Sequence, residues 1–212
     1  MLHDFEQGSD AWFAFRAGKF SASTVGDIMK KGRGGKPSTM RANAITRLAV
    51  ERITGAKDDG YSSAAMQRGI ELEAEARAAY SFANGVAVIE TGCVSHDVWP
   101  YAICSPDGLV GEDGLLEIKC PETMPRHYDA LNGGAQIVKD YHWQVQHQLF
   151  VTGRKWVDLT SYDPRFPDGL QMATRRVFPD AESQEQLREE ITRANIEVEQ
   201  QLQGLKDLQA AA

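Results

Sequence analysis

The segment from Cys104 to Pro121, CSPDGLVGEDGLLEIKCP, constrains the fold more than any other part of the 212-residue sequence. Two apolar stretches flank a VGEDG turn with two glycines and an Asp-Gly pair, a combination typical of a β-hairpin. The second stretch, LLEIKC, is too apolar for a strand with a solvated face, so we expect it to be buried on both sides. Because side chains alternate along a strand, Glu117 and Lys119 project from one face and Ile118 from the other. If Asp107 ends the neighbouring strand, the three charged side chains can meet at one edge of the sheet.

Two interpretations of these charges are open. An isolated Glu-x-Lys pair on a surface hairpin is usually only solvated. A charged pair at the end of a buried strand is costly unless it has a partner or a function. Two carboxylates with a backbone carbonyl form a hard oxygen site suited to Mg²⁺. The expected burial therefore favours a metal site, in which Lys119 positions and helps to deprotonate an attacking water or stabilises charge on a phosphate.

Helical and β-rich patterns alternate along the rest of the chain. Helices are predicted at 9–18, 21–29, 37–55, 62–85, 141–153 and 180–208. Strands are predicted at 86–90, 92–97, 101–108 and 115–120, arranged as a meander, and at 155–164 and 170–178. The simplest architecture is one α/β domain over residues 1–212, with a central mixed sheet flanked by helices and a C-terminal helix. That last helix has an apolar stripe at Leu187, Ile191, Ala194, Val198, Leu202 and Leu205.

Cysteine content and hydropathy indicate the compartment. Three cysteines, Cys93, Cys104 and Cys120, suit a reducing environment better than a disulfide framework. The sequence contains no CxxC, and His142 and His147 have the wrong spacing for a zinc pair on one helical turn, which argues against a zinc site. Apolar runs are far shorter than a membrane span, and the first residues lack the regions of a signal peptide. We therefore expect a cytoplasmic protein that does not enter the membrane.

The formal net charge of −7 argues against a protein coated in basic surface for nucleic acid, but it does not exclude a locally basic groove. Basic residues cluster in KKGRGGK at 30–36, followed by Arg41 and Arg47. This loop is either a solvated segment or a set of phosphate contacts, and its composition leaves both interpretations open.

The hairpin also carries a family signature. Asp107, nine intervening residues and Glu117-Ile118-Lys119 match the PD-(D/E)xK pattern of restriction-endonuclease-like nucleases, with Pro106 completing the PD pair. Six segments follow the order of motifs in lambda exonuclease and related viral recombination nucleases: EQGSDAWFAFRAGKFSAS, RGIELEAEAR, CSPDGL, LEIKCP, YHWQVQHQLFV and YDPR. Together they run from residue 6 to about 165. The chain thus resembles this family, which implies a restriction-endonuclease-like core.

The resemblance implies a two-metal phosphodiesterase that uses Mg²⁺, with Mn²⁺ as a substitute. Asp107 and Glu117 match the family's metal ligands, and the Ile118 carbonyl completes the set. Lys119 matches the residue that orients the nucleophilic water. Glu73 matches the helix-borne carboxylate near the metals. These roles are implied by the motif match.

Two helices carry further candidates. Periodicity in RGIELEAEAR supports one inward acid but cannot choose among the three, and Glu71 and Glu75 are interpreted as solvated. In YHWQVQHQLFV, Tyr141 and Gln144 share a helix face, and Gln144 matches the family's active-site glutamine. We expect Trp143, Leu149 and Phe150 to lie in the core, and His142 and His147 not to be catalytic.

The family recognises a 5′-phosphate, and the matching positions are Arg16, Ser23 and Ser105. A guanidinium fork and hydroxyls at a helix start form a sensible anion pocket. Taken singly, Arg16 could be a surface residue and Ser23 only a helix cap. Met66 is either an apolar wedge that helps to split the duplex or a core residue.

The resemblance implies an exonuclease that digests linear double-stranded DNA from 5′-phosphorylated ends in the 5′→3′ direction, releasing 5′-mononucleotides and leaving a 3′ single strand. It also implies a ring-shaped homotrimer around DNA, a phage or prophage recombination system and a single-strand annealing protein as partner. The alternative enzyme is a restriction or repair endonuclease with the same core. A catalytically dead DNA-binding module is disfavoured because Glu73, Asp107, Glu117 and Lys119 are all present.

Overall fold

A computed structural model describes residues 1–32, 34, 38–57 and 64–211, with side chains in the last range from residue 67 onward. In these ranges the helices are α1 (Asp10–Arg16), α2 (Ala22–Ile28), α3 (Thr39–Thr54), α4 (Ala64–Asn84), α5 (Met124–Leu131), α6 (Ala135–Asp140), α7 (His142–Thr152) and α8 (Ala181–Ala211). The strands are β1 (Leu2–His3), β2 (Phe20–Ser21), β3 (Val88–Ile89), β4 (Cys93–Ser95), β5 (Ala102–Cys104), β6 (Gly108–Val110), β7 (Gly114–Lys119), β8 (Trp156–Tyr162) and β9 (Met172–Val177).

Strand β7 is the middle strand of a five-stranded sheet with the order β3-β6-β7-β8-β9. It pairs antiparallel with β6 and parallel with β8, where Lys119 lies opposite Ser161. The predicted hairpin is confirmed, and Gly111 in its turn has φ 55°, a left-handed conformation that glycine adopts without steric penalty. Residues 114–118 are all buried, which confirms that β7 is covered on both faces.

A second sheet has the order β1-β4-β5-β2, in which β2 runs parallel to β5. The predicted meander is therefore wrong in its connectivity, because β5 belongs to this sheet and β6 to the five-stranded one. Only residues 105–107 separate the two strands. This crossing places Ser105 and Asp107 at the junction between the sheets.

Helix α7 packs against both sheets. Val145 and Leu149 join the apolar cluster on the five-stranded sheet, which includes Leu115 and Leu159. Phe150 joins a second cluster that includes residues of β2, β4 and β5 together with α2, α3 and α8. Trp143 is partly buried against this second cluster. The predicted core positions of α7 are confirmed, and the helix links the two halves of the fold.

Helix α8 follows its predicted stripe. Leu187, Ile191, Ala194, Val198 and Leu202 are buried, whereas Leu205, near the end of the helix, is half-exposed. Arg41 of α3 donates two hydrogen bonds to Glu197 of α8, at 2.7 and 2.8 Å. A side chain held in this way has a structural role. Arg41 is therefore not available for the phosphate contact that the sequence left open.

Helices α5 and α6 fall in a region for which no element was predicted. Both are short, and Pro125 and the Gly133-Gly134 pair break the apolar periodicity around them. Cys93, Cys104 and Cys120 are free, buried thiols, as expected. Within the described ranges, no helix combines the length and apolar character that a membrane crossing requires.

Candidate active site

The β6–β7 hairpin brings Asp107, Glu117 and Lys119 together. Asp107 precedes β6, and its Oδ2 accepts a hydrogen bond of 2.6 Å from the Ile118 backbone N–H. Lys119 Nζ lies 2.5 Å from Glu117 Oε1, as the shared strand face predicts. Glu117 is only 3% exposed, so its charge depends on these partners rather than on water.

Two glutamines of α7 complete the surroundings of Glu117. Gln144 Nε2 donates to Glu117 Oε1 and Gln148 Nε2 donates to Glu117 Oε2, both at 2.5 Å. Gln144 Oε1 also accepts a hydrogen bond of 3.3 Å from Lys119. The ammonium group of Lys119 lies 4.4 Å from the centre of the Tyr141 ring. Both carboxylate oxygens of Glu117 are thereby oriented by one helix.

Of the three acids in the α4 motif, Glu73 lies nearest this centre. It accepts a hydrogen bond of 2.5 Å from Arg77, one helical turn later, and Arg77 Nε also donates to the Asp107 carbonyl at 3.0 Å. Glu71 is exposed, as predicted. Glu75 is exposed as well, but it accepts a hydrogen bond of 2.5 Å from the Tyr162 hydroxyl, so the prediction of a merely solvated side chain is incomplete.

Negative charge accumulates among these residues. Burial, followed by the carboxylates of Glu117 and Glu73, raises the pKa of Asp107 well above its ordinary value, although Lys119 and the Ile118 N–H oppose the shift. Burial also raises the pKa of Glu73, against the effect of Arg77 and with that of Glu117. Burial alone would lower the pKa of Lys119, but Glu117 and Asp107 outweigh it and the pKa is raised. Lys119 is therefore a cation at neutral pH.

The donor set fits a hard divalent cation. Asp107 and Glu117 offer carboxylate oxygens and Ile118 a backbone carbonyl, which are the ligands that Mg²⁺ takes in proteins. The raised pKa of Asp107 reflects burial first and then repulsion from Glu117 and Glu73, and a bound cation would offset both. Among the side chains described, no three His, Cys, Asp or Glu groups already converge closely enough to hold an ion together. Glu73 and Glu117 are paired instead with Arg77 and Lys119.

The three residues predicted to bind a 5′-phosphate lie beside the junction of the sheets. Arg16 is 7% exposed, so the alternative of a surface arginine is wrong. Its Nη1 donates to Ser105 Oγ at 2.9 Å, and its guanidinium lies 4.1 Å from the centre of the Trp12 ring. Trp12 Nε1 donates to the same hydroxyl at 3.1 Å. Arg16 and Ser105 therefore form one polar unit next to Asp107.

Ser23 lies at the same end of the parallel strands as Ser105. Ser21 lies opposite Ile103, so Ser23 and Ser105, each two residues further along, leave the same end of the β2–β5 pair. Ser21 rather than Ser23 caps α2, because it forms a capping box with Thr24. Ser23 is exposed, and its Oγ lies 3.1 Å from Ser21 Oγ. Its hydroxyl is thus free of the capping role that the sequence allowed.

Two sequence predictions lie outside the described residues. The side chain of Met66, the candidate wedge, is one of them. The other is the KKGRGGK loop at 30–36, of which residues 33, 35 and 36 are not described. Among the described residues of this loop, Lys30 donates to Met40 Sδ at 3.4 Å.

A cleft of about 760 Å³ opens beside Lys119. Its wall at Pro121 is held by two arginines, since Arg68 and Arg165 both donate to the Pro121 carbonyl at 3.3 Å. Both arginines also pair with Asp163, which is fully buried. Ile118, Lys119 and Cys120 also line this cleft, which therefore opens at the end of β7.

Sequence reasoning missed two residues that touch the central acids. Arg77 follows Glu73 by four positions and Gln148 follows Gln144 by four, so helical spacing from residues already singled out would have found both. Trp12 and Arg16 are also four positions apart, on α1, so the same spacing predicts their stacking. The sequence gives no comparable signal for their hydrogen bonds to Ser105, because those depend on the packing of α1 beside β5.

Comparison with known proteins identifies the family and the fold. Residues 11–155 match the family model described as the YqaJ-like viral recombinase domain. The crystal structure of LHK-Exo in complex with dAMP superimposes with a TM-score of 0.85 and 38% identity, covering 96% of this chain and 99% of that chain. A crystal structure of the same alkaline exonuclease, from Laribacter hongkongensis, gives the same values.

A more distant structure shows the fold alone. The crystal structure of a phage related exonuclease from Haemophilus somnus 129PT has a TM-score of 0.74 at 15% identity, covering 88% of this chain and 96% of that chain. No curated protein sequence matches the chain. The structural matches confirm the expected mixed α/β fold with a restriction-endonuclease-like core and a C-terminal helix.

Proposed function

The chain belongs to the YqaJ-like viral recombinase family, and from that premise we propose that it is a Mg²⁺-dependent 5′→3′ exonuclease of linear double-stranded DNA. It starts at 5′-phosphorylated ends, releases 5′-mononucleotides and leaves a 3′ single strand. The observation that carries this proposal is the convergence of Asp107, Glu117 and Lys119 at one end of the β6–β7 hairpin. The similarity to LHK-Exo, which has been crystallised with dAMP, supports a mononucleotide product.

The mechanism uses two Mg²⁺ ions, for which Mn²⁺ can substitute. The ligands would be Asp107, Glu117, the Ile118 carbonyl and Glu73. When bound, the ions supply polarisation of the scissile phosphate and a lowered pKa of the attacking water. Lys119 orients that water, because its ammonium group is fixed between Glu117 and the Tyr141 ring.

End recognition is assigned to Arg16, Ser23 and Ser105. The Arg16 guanidinium is already directed to Ser105 by the hydrogen bond and by stacking on Trp12, so little side-chain freedom is lost when a phosphate binds. Ser105 and Asp107 are two residues apart at the junction of the sheets. A phosphate held by the first and a scissile bond held at the second would therefore belong to neighbouring nucleotides.

The proposal extends to assembly and context. A homotrimeric ring around DNA would reconcile the net charge of −7 with DNA binding, since basic residues need only line the channel. Phage or prophage recombination in the cytoplasm of a bacterial host would supply a single-strand annealing protein as partner. The oligomeric mass of the purified protein tests the ring, and a monomer would contradict it.

A comparison of linear and covalently closed circular duplex tests the activity. The proposal predicts Mg²⁺-dependent digestion of the linear form only, and none by Lys119→Ala. Rapid cutting of the closed circle would instead indicate a restriction or repair endonuclease with the same core. Digestion of 5′-phosphoryl and 5′-hydroxyl linear ends at equal rates by the wild type would refute the phosphate pocket.

A further inference from the structure

We infer that helix α7 sets the spacing between the 5′-phosphate pocket and the hydrolytic centre, with His147 as a positioning residue for end recognition. This inference rests on the proposed function, because it concerns how the two parts of that site are kept in register. One helix contacts both the glutamate of the hydrolytic centre and the strands that lead to Ser23 and Ser105.

His147 forms the contact with those strands. The imidazole is fully buried, and Nε2 lies 3.1 Å from each of the carbonyl oxygens of Phe20 and Ile103. Since carbonyl oxygens only accept, Nε2 carries the proton and donates to both. Burial lowers the pKa of His147 to about 4, so the ring is neutral at physiological pH. Nδ1 has no hydrogen-bond partner in the described part of the chain.

The two carbonyls belong to neighbouring strands that are joined to each other by a short ladder. β2 and β5 pair only through Phe20 with Ala102 and Ser21 with Ile103. The shared N–H of His147 bridges the two strands at this short ladder. Ser23 follows Phe20 by three residues and Ser105 follows Ile103 by two. A shift of either carbonyl would therefore be passed directly to the phosphate pocket.

The same helical turn holds Glu117. Gln144 and Gln148 are four residues apart and share one face of α7, and His147, three residues after Gln144, lies on the same turn. Each glutamine donates a hydrogen bond of 2.5 Å to a different oxygen of Glu117. Val145 and Leu149, 0% and 2% exposed, anchor the turn in the core of the five-stranded sheet.

One rigid turn of α7 thus fixes the distance between the strands that bind the 5′ end and the bond that is hydrolysed. In an exonuclease that distance decides how many nucleotides lie between the bound 5′-phosphate and the bond that is cut. If α7 loses its hold on β2 and β5, the phosphate pocket can move relative to Glu117, while Glu117 keeps its own hydrogen bonds. The loss would affect end selection and product length rather than hydrolysis itself.

Substitutions at His147 test this role. His147→Met removes the donor at similar volume, whereas His147→Gln keeps an N–H at the end of the side chain. His142→Gln is the matched control, because His142 lies on the same helix but contacts Ser183 of α8, at 2.9 Å. The substrates are linear duplexes with a 5′-phosphoryl or a 5′-hydroxyl end, and the readouts are the ratio of the two initial rates and the length of the released products. A ratio within one preparation does not depend on the fraction of protein that is folded.

For His147→Met we expect the ratio of phosphoryl to hydroxyl rates to fall about tenfold or more, since a misplacement near 1 Å can cost about 100-fold. Di- and trinucleotides should accompany the mononucleotides. His147→Gln should recover most of the wild-type ratio, and His142→Gln should keep all of it. If His147→Met does not fold, His147→Asn, whose amide is too short to reach the carbonyls, is judged by the same ratio.

An unchanged ratio and unchanged product length in the donor-free variant would overturn the inference. Equal losses on both substrates would also overturn it, because they would reduce His147 to a structural residue. A wild-type enzyme without any phosphate preference would contradict the proposed function instead, and the wild-type arm separates the two failures.

Discussion

Replacing Asp107 with asparagine is expected to stabilise the metal-free protein while abolishing its response to Mg²⁺. Folding raises the pKa of Asp107 well above its ordinary 3.8 through burial and then through Glu117 and Glu73. The folded protein therefore binds this proton more tightly than the unfolded chain does. The corresponding stability is fully present below pH 3.8 and is lost as the pH rises through the raised pKa. Asparagine can still accept the 2.6 Å hydrogen bond from Ile118 but carries no charge at any pH.

Relief of a functional charge of this kind stabilises a protein by about 0.5–2 kcal/mol. Binding of Mg²⁺ to the wild type at 100 times its Kd should add about 2.7 kcal/mol, and the variant should gain little of it. Urea unfolding at pH 5 and pH 8, with EDTA or with Mg²⁺, measures both effects. Glu71→Gln makes the same charge change on the exposed side of α4 and serves as the control. An Asp107→Asn protein that is less stable than wild type in EDTA at pH 8 would show that the Asp107 charge does not destabilise the fold. A variant that gains as much stability from Mg²⁺ as the wild type would show that Asp107 does not bind the ion.

Three further predictions concern single side chains. Lys119→Met should slow digestion by about 100-fold or more with an unchanged circular dichroism spectrum, whereas Lys155→Met, at an exposed pair with Asp113, should digest normally. Arg16→Lys should lose most of the preference for 5′-phosphoryl ends, because an ammonium group cannot form the guanidinium fork; retention of the preference would remove Arg16 from end recognition. Tyr80→Phe should lower the free energy of unfolding by about 1.5–3 kcal/mol, because Asp158, 3% exposed, loses the 2.6 Å hydrogen bond from the phenol; a stability within experimental error of wild type would contradict the importance of that buried pair.

Much of the five-stranded sheet could be predicted from the sequence. Leu115, Leu116 and Ile118 beside a Gly-rich turn predict β7. The hydrophobic stripe of α8 is long enough to predict that helix without ambiguity. The smaller sheet could not be predicted in the same way. β1 and β2 have two residues each, too few for an alternating pattern, and both pair with strands at least 80 residues away.

In the candidate site, too, contacts within one element could be predicted and contacts between distant segments could not. Residues on one strand or one helix, such as Glu117 with Lys119, could be placed together from their spacing. Contacts that join distant segments could not: Arg16 on Ser105 requires the packing of α1 beside β5, and His147 on Phe20 requires the packing of α7 across β2 and β5. The functional assignments made from the motif match remain predictions, and the structure adds the neighbours through which each can be tested.

The direction of digestion is the decisive test of the proposed 5′→3′ exonuclease activity. A blunt linear duplex carries a label on the 5′-terminal or on the 3′-terminal nucleotide of one strand, both 5′ ends are phosphorylated, and the wild-type protein digests it in Mg²⁺. The proposed activity predicts that the 5′ label appears first, as a mononucleotide, while the 3′ label stays in long single strands. Early release of the 3′ label, or of internal fragments that carry neither label, would contradict it.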